Sequence, residues 1–283
     1  MSDERANEPL PVDAPRTGPA MVTAPEGHPS QDAPPAIAVR GLGKTFDGTV
    51  AVNGVSFDVP VGSFFGVVGP NGAGKTTTLS MVTGLLRPDA GNVWINGVDM
   101  WADSLQAKKL LGVLADGVRL FDRLSGRQLV TYAGLLRGMD RETVAERTDD
   151  LLRALDLADA GDKLVVDYSA GMTKKIALAS AMIHAPRTLI LDEPFEAVDP
   201  VSAANIRSIL HDYVTHGGTV VVSSHVMDLV QRMCSHVAVM ARGNLLALGT
   251  VDEVRQGGSL EDRFVDLVGG RSSGEGLSWL HTS

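Results

Sequence analysis

SFFGVVGPNGAGKTTTLSMVTGLL fills residues 63–86. A short apolar run enters a turn that carries Gly69, Gly72 and Gly74, and helical spacing follows. A strand that feeds a helix through a tight turn is the opening of a βαβ unit. The pattern recurs downstream. TLILD (188–192), VSAANIRSILHDYV (201–214) and TVVVSS (219–224) read as buried strand, helix and buried strand. Alternation of this kind predicts a largely parallel sheet covered on both faces.

On the N-terminal side, AIAVRGLGKTF and VAVNGVSFDVP read as two strands around a turn at Asp47-Gly48, and GNVWING (91–97) reads as a further strand and turn. Between about Ser125 and Ala181 the chain is mainly helical, with candidates RQLVTYAGLLRGM, ETVAERTDDLLRALDL and TKKIALASAMI. The expected fold is therefore α/β: a core on a parallel sheet, with antiparallel strands before it and a mainly helical insertion at about residues 117–181. Residues 1–36 hold eight of the fourteen prolines and six acids. Such a segment buries too little apolar surface to order itself, so a disordered Pro/Ala-rich acidic tail is expected there.

Bulk properties narrow the partners. A net charge of −9 disfavours nucleic acid as a non-specific ligand. The single cysteine, Cys234, excludes an internal disulfide. The opening MSDERANEPL is charged and lacks the apolar core of a secretory signal. No apolar run approaches the roughly 18 residues of a membrane span, so any work at a membrane needs another chain for the membrane part.

GPNGAGKT fits G-x-x-x-x-G-K-[ST] without a gap, between a strand and a helix. The candidate phosphate-binding residues are Gly69, Pro70, Asn71, Gly72, Ala73, Gly74, Lys75 and Thr76, with Thr77 next on the helix. Glycines let the backbone turn several N–H groups toward one anion, and the helix N-terminus adds partial positive charge. Lys75 suits the β- and γ-phosphates, and the Thr76 hydroxyl suits Mg²⁺. LILDEP (189–194) lies 192 − 75 = 117 residues further on. Asp192 emerges from a strand end, where parallel sheets bind ligands, and can share the Mg²⁺ with Thr76. Glu193 then faces the γ-phosphate and can orient or deprotonate a water. The plainer reading of Asp192 and Glu193, two carboxylates capping a helix, does not account for the P-loop. His225 ends TVVVSSH. Alone it is as readily a surface residue, but a strand beside the P-loop strand would bring its imidazole to the γ-phosphate.

These pieces in this order resemble the ATP-binding cassette (ABC) ATPases, over about residues 37–270, leaving 271–283 as a C-terminal tail; the resemblance implies a P-loop NTPase core with a parallel sheet, an antiparallel β subdomain and an inserted helical subdomain. YSAGM (168–172) stands where that family has its LSGGQ signature, EAVDP places Asp199 at its D-loop, and Phe46 stands where an aromatic ring stacks on adenine. The resemblance implies ATP and Mg²⁺ as ligands, with hydrolysis at Glu193 and His225. It also implies a head-to-tail pair with a second ABC ATPase, identical or related. Ser169, Ala170, Gly171 and Met172 of one subunit would complete the site of the other. Ser169 offers a hydroxyl, and Ala170 and Gly171 let backbone N–H groups come close to a phosphate. The same residues also suit a simple helix cap. The chain departs from the family pattern at Asp116, which stands where the loop into the helical subdomain often has glutamine, and in the signature, where Met172 replaces the last glutamine and Tyr168 the leucine.

YSAGMTKK, LASAMIHAP and LDEPFEAVDP look most like ATPase subunits of ABC-2 type exporters. That likeness implies integral-membrane permease subunits on separate chains and a place at the cytoplasmic face of the membrane. Leu120 and Phe121, in the loop after Asp116, are the expected edge of a docking groove, unless both pack inward. Two alternatives fit less well. A soluble ABC ATPase of DNA repair or the ribosome would carry a long heptad insertion or a second cassette, and a P-loop kinase or GTPase would lack the signature and His225.

Overall fold

The computed structural model describes residues 34–117 and 119–268. The expectations for residues 1–33 and 269–283 lie outside the described residues. Ala36 is buried and donates its N–H to the Val59 carbonyl, so packed structure has begun by that residue.

Strands β1 (Ile37–Phe46) and β2 (Thr49–Val59) form an antiparallel hairpin. Its turn is Asp47-Gly48, both with positive φ (46° and 81°), the left-handed pair that a two-residue hairpin loop demands. β4 (Ala90–Ile95) and β5 (Val98–Asp99) repeat the device at Asn96-Gly97. The resulting sheet runs β2-β1-β4-β5.

The second sheet holds the strand that enters the glycine-rich turn. β3 (Phe64–Val68), β6 (Leu111–Leu114), β7 (Thr188–Leu191) and β8 (Thr219–Ser224) are buried along most of their length. β9 (His236–Ala241) and β10 (Asn244–Thr250) complete the order β10-β9-β3-β8-β7-β6. All neighbours are parallel except the β9–β10 edge pair. Continuous apolar runs are what a sheet needs when helices cover both its faces. Those helices include α1 (Lys75–Val82), α2 (Ser104–Lys109), α6 (Pro200–Thr215) and α7 (Met227–Met233). α8 (Val251–Arg255) and α9 (Leu260–Val268) follow β10.

The insertion comprises α3 (Gly126–Leu136), α4 (Arg141–Ala154) and α5 (Ala170–Met182). Local chemistry sets their starts. Ser125 and Gln128 form a reciprocal capping box on α3, and Asp140 caps α4 through the Thr143 amide. Two cores hold the molecule. One packs the first sheet onto one face of the second, with Phe57 and Phe65 stacked at 5.7 Å. The other joins Leu129, Leu152 and Ile176 of the insertion to Leu189 and Val222 of the parallel sheet. The helical subdomain therefore shares a core with the parallel sheet and has a fixed seat on it.

Candidate functional site

β3 delivers the chain to residues 69–74, and α1 begins at Lys75. The N-cap is Gly74, at φ 98°, with no side-chain cap bond. A β-carbon there would sit 2.6 Å from the Ala51 carbonyl oxygen, so only glycine fits. An uncapped helix start leaves its first N–H groups available to an anion. Asn71 to Thr77 line a cavity of about 300 Å³, together with Asp116, Glu193, Glu196 and His225.

Lys75 is buried beneath this loop. Its ammonium donates to the Gly69 carbonyl at 2.8 Å and lies 3.5 Å from Oε1 of Glu193. At the end of β7, Asp192 accepts from the Ser223 hydroxyl and from Thr76. Burial pushes its carboxyl above the ordinary range. The two hydrogen bonds pull the other way, and the charges of Asp116 and Glu193 add to the rise. A buried anionic oxygen facing a threonine hydroxyl fits a small hard cation, which takes one or two protein oxygens and completes its shell from phosphate and water. Among the described residues there is no cluster of three or more His, Cys, Asp or Glu that could hold a metal by itself.

Glu193 adopts φ 46°, an unusual backbone state for a residue with a side chain. Its N–H donates to the Ser223 hydroxyl at 2.8 Å, and its Oε2 lies 3.2 Å from Nδ1 of His225. β8 pairs directly with β3, with Ser224 opposite Val68, so His225 does emerge beside the phosphate loop. Asp116, two residues beyond β6, also reaches the cavity, and Lys174 of α5 stands 3.8 Å from it. The P-loop, Asp192, Glu193, His225 and Asp116 thus converge. Ser223, Lys174 and Glu196 join them unannounced by any motif.

Other candidates lie elsewhere. Phe46, at the end of β1, is 45% exposed, with the Lys44 ammonium 5.6 Å from its ring centre. Ser169 caps α5 by accepting from the Met172 amide, and Tyr168 anchors the turn by donating to the Ala160 carbonyl at 2.7 Å. Gly171 is buried where a β-carbon would meet Oδ2 of Asp199 at 2.9 Å. Asp199 caps α6, and the amides of Ser202 and Val201 hold its carboxyl below the ordinary range. Signature and D-loop are therefore neighbours, and among the described residues none of Ser169 to Met172 lines the phosphate cavity of its own chain.

The ABC transporter family model matches residues 52–196. A daunorubicin resistance ATP-binding protein of Streptomyces coeruleorubidus is 34% identical over 220 residues, 78% of this chain and 70% of that one. The linearmycin resistance ATP-binding protein LnrL of Bacillus subtilis is 30% identical, covering 82% of this chain and 74% of its own. The Nod factor export ATP-binding protein I of a Rhizobium strain is 34% identical over 76% and 71%. A solved structure of an ATP binding subunit of an ABC transporter superposes with TM-score 0.77 at 25% identity, over 82% of this chain and 99% of that one. The chain belongs to the ABC transporter family, as an ATP-binding and ATP-hydrolysing subunit of the exporter type.

Proposed function

We propose that the chain hydrolyses Mg²⁺-bound ATP with Glu193 as the base that orients and deprotonates the attacking water. The observation that carries this is the place of its carboxylate, between Lys75 and His225 at the mouth of the phosphate cavity. Water oxygen bonds to the γ-phosphorus, the bond to the β–γ bridging oxygen breaks, and the proton passes to Glu193. ADP and inorganic phosphate leave. Lys75 holds the β- and γ-phosphates, and His225 supports the γ-phosphate from the β8 side. Thr76 and Asp192 would hold Mg²⁺, which supplies charge neutralisation when bound. Phe46 offers one ring face to adenine.

The same reading makes the working unit a head-to-tail pair of ABC ATPases, with Ser169 to Met172 of one subunit over the phosphates of the other and Asp199 between the sites. An ABC-2 type exporter fits best, its permease on separate chains and this subunit against the cytoplasmic face. No described helix is long and apolar enough to cross a membrane. A groove of about 580 Å³, lined in part by Leu85, Val113, Leu120, Ala177 and Ala181, offers a seat for a cytoplasmic helix of the permease. Leu120 turns partly inward onto the core, whereas Phe121 stays 61% exposed, edge-on to Tyr132. The repair alternative lacks its coiled coil, since α4, with 14 residues, is the longest described helix of the insertion.

Glu193→Gln keeps the shape of the side chain and removes the base, so turnover is expected to fall at least about a hundredfold while ATP still binds. Lys75→Ala is expected to weaken ATP binding tenfold or more, as loss of a charge-assisted bond costs roughly 1.5–3 kcal/mol. Steady-state hydrolysis and equilibrium nucleotide binding decide both. Near-normal turnover in Glu193→Gln removes it from the role.

A further inference from the structure

Glu193 needs more than its carboxylate partners. A left-handed backbone at a side-chain-bearing residue is strained and persists only where the surroundings hold it. Two restraints are visible on its own peptide groups. The N–H donates to Ser223, and the carbonyl accepts the Lys174 ammonium at 3.0 Å and the Glu196 amide at 3.2 Å. Lys174 is no ordinary surface lysine. Its side chain is only 20% exposed, and it lies against the Asp116 carboxylate on one side and the Glu193 carbonyl on the other. It therefore touches three segments at once: α5, the loop after β7 and the start of the insertion.

We propose that Lys174 is a positioning residue for hydrolysis: its ammonium holds the Glu193 carbonyl, and Asp116 holds the ammonium. This rests on Glu193 acting as the base. The Asp116–Lys174 pair is partly exposed, so it contributes little to stability. Its effect is on where the lysine stands. Lys174 follows Ala170 by four residues on one rigid helix, a rise of about 6 Å. Any displacement of the α5 N-terminus, where Ser169 and Ala170 lie exposed, is thereby carried to the peptide group of the base within about one turn. An aspartate at position 116 acquires a purpose here that its own motif did not give it.

The test is steady-state ATP hydrolysis by the full chain, with nucleotide binding and thermal melting of each variant. Lys174→Met is expected to lower kcat about tenfold, the cost of one hydrogen bond to a charged donor, with little change in KM. Lys174→Arg, which can still donate to the carbonyl, restores most of it. Asp116→Asn lowers kcat less. The double variant falls no further than Lys174→Met, because Asp116 acts through the lysine. Wild-type kcat in Lys174→Met overturns the proposal, as does a loss confined to KM or losses that multiply in the double variant. If Lys174→Met fails to fold, the comparison of Lys174→Arg with Lys174→Gln decides. A higher kcat in Arg supports the role, and wild-type rates in both overturn it. Glu193→Gln, run alongside, separates the two claims. An inactive Glu193→Gln beside a fully active Lys174→Met removes Lys174 alone, whereas an active Glu193→Gln removes the base itself.

Discussion

Two helices begin where the motifs put phosphate, and they begin in opposite ways. α1 starts at a glycine with no side-chain cap, inside a cavity, above a buried lysine. α5 starts at Ser169, which caps its own helix, with Ser169 and Ala170 exposed to solvent. The first start has no side-chain cap and lies among the residues that line the phosphate cavity, which suits it to an anion held within one chain. The second has one side-chain cap, Ser169 on the Met172 amide, and lies outside that cavity. A helix start that lies outside its own chain's phosphate cavity and carries small residues is what the proposed composite site requires of its second half.

The largest expected effect breaks this comparison directly. In a Glu193→Gln background, hydrolysis is slow and an ATP-bound pair should accumulate. Adding Ser169→Arg puts bulk where two surfaces must close to hydrogen-bond distance, about 3 Å. Nucleotide binding at low protein concentration should be unchanged, and ATP-dependent dimerisation should be lost. Sedimentation with and without ATP reads both. If ATP binding by the monomer is lost instead, α5 serves its own chain and the contrast between the two helices is wrong.

Next in size is loss of the permease. Phe121 is exposed and follows Leu120, which lines the groove, so Phe121→Glu gives up one edge-on aromatic pair, about 0.5–1.5 kcal/mol, and leaves the fold in place. Co-purification with the permease should fail. Retained co-purification places the docking face elsewhere. The proposed stacking of Phe46 on a base predicts a smaller effect. Stacking of this kind is worth roughly 1–3 kcal/mol, so Phe46→Ala should weaken ATP about tenfold, Phe46→Tyr should not, and GTP should still bind. Unchanged affinity in Phe46→Ala would mean that the ring only packs.

How much of this was legible depended on distance along the chain. The phosphate loop, the Asp192-Glu193 pair and the Asp47-Gly48 hairpin announce themselves because each is set by residues within one turn or strand. The β9–β10 hairpin did not. Its turn is Arg242-Gly243, and arginine at φ 48° is no turn signal. β6 is four residues long, too short to show a period. Ser223 and Lys174 were invisible for another reason. Ser223 acts on Asp192 from 31 residues away, and Lys174 sits 58 residues (174 − 116) from Asp116. Only the pairing of β7 with β8, and the packing of α5 beside β6, brings these groups together.

The smallest expected effect concerns acid, and it has opposite signs at the two ends of β7. His184, just past α5, fastens the insertion to the sheet: its Nε2 lies 2.9 Å from the Leu111 carbonyl and 2.8 Å from Arg137. Burial, and then the Arg137 charge, lower its pKa from 6.5 to about 4. Between those values the unfolded chain takes up a proton that the folded chain refuses, so stability falls as pH drops from about 6.5 to 4. Partial exposure reduces the effect to about 1 kcal/mol. Denaturant unfolding at several pH values should therefore show a shallower acid loss in His184→Gln. Asp192 behaves the other way. Its folded pKa is raised, so its contribution is full at low pH and is lost as pH rises through the folded value. Asp192→Asn, which never ionises, should melt higher than the wild type at neutral pH without nucleotide, and that advantage should shrink on acidification. Equal melting at neutral pH would mean that Ser223 and Thr76 already offset the burial of the charge. The contrast between the two ends would then rest on geometry alone.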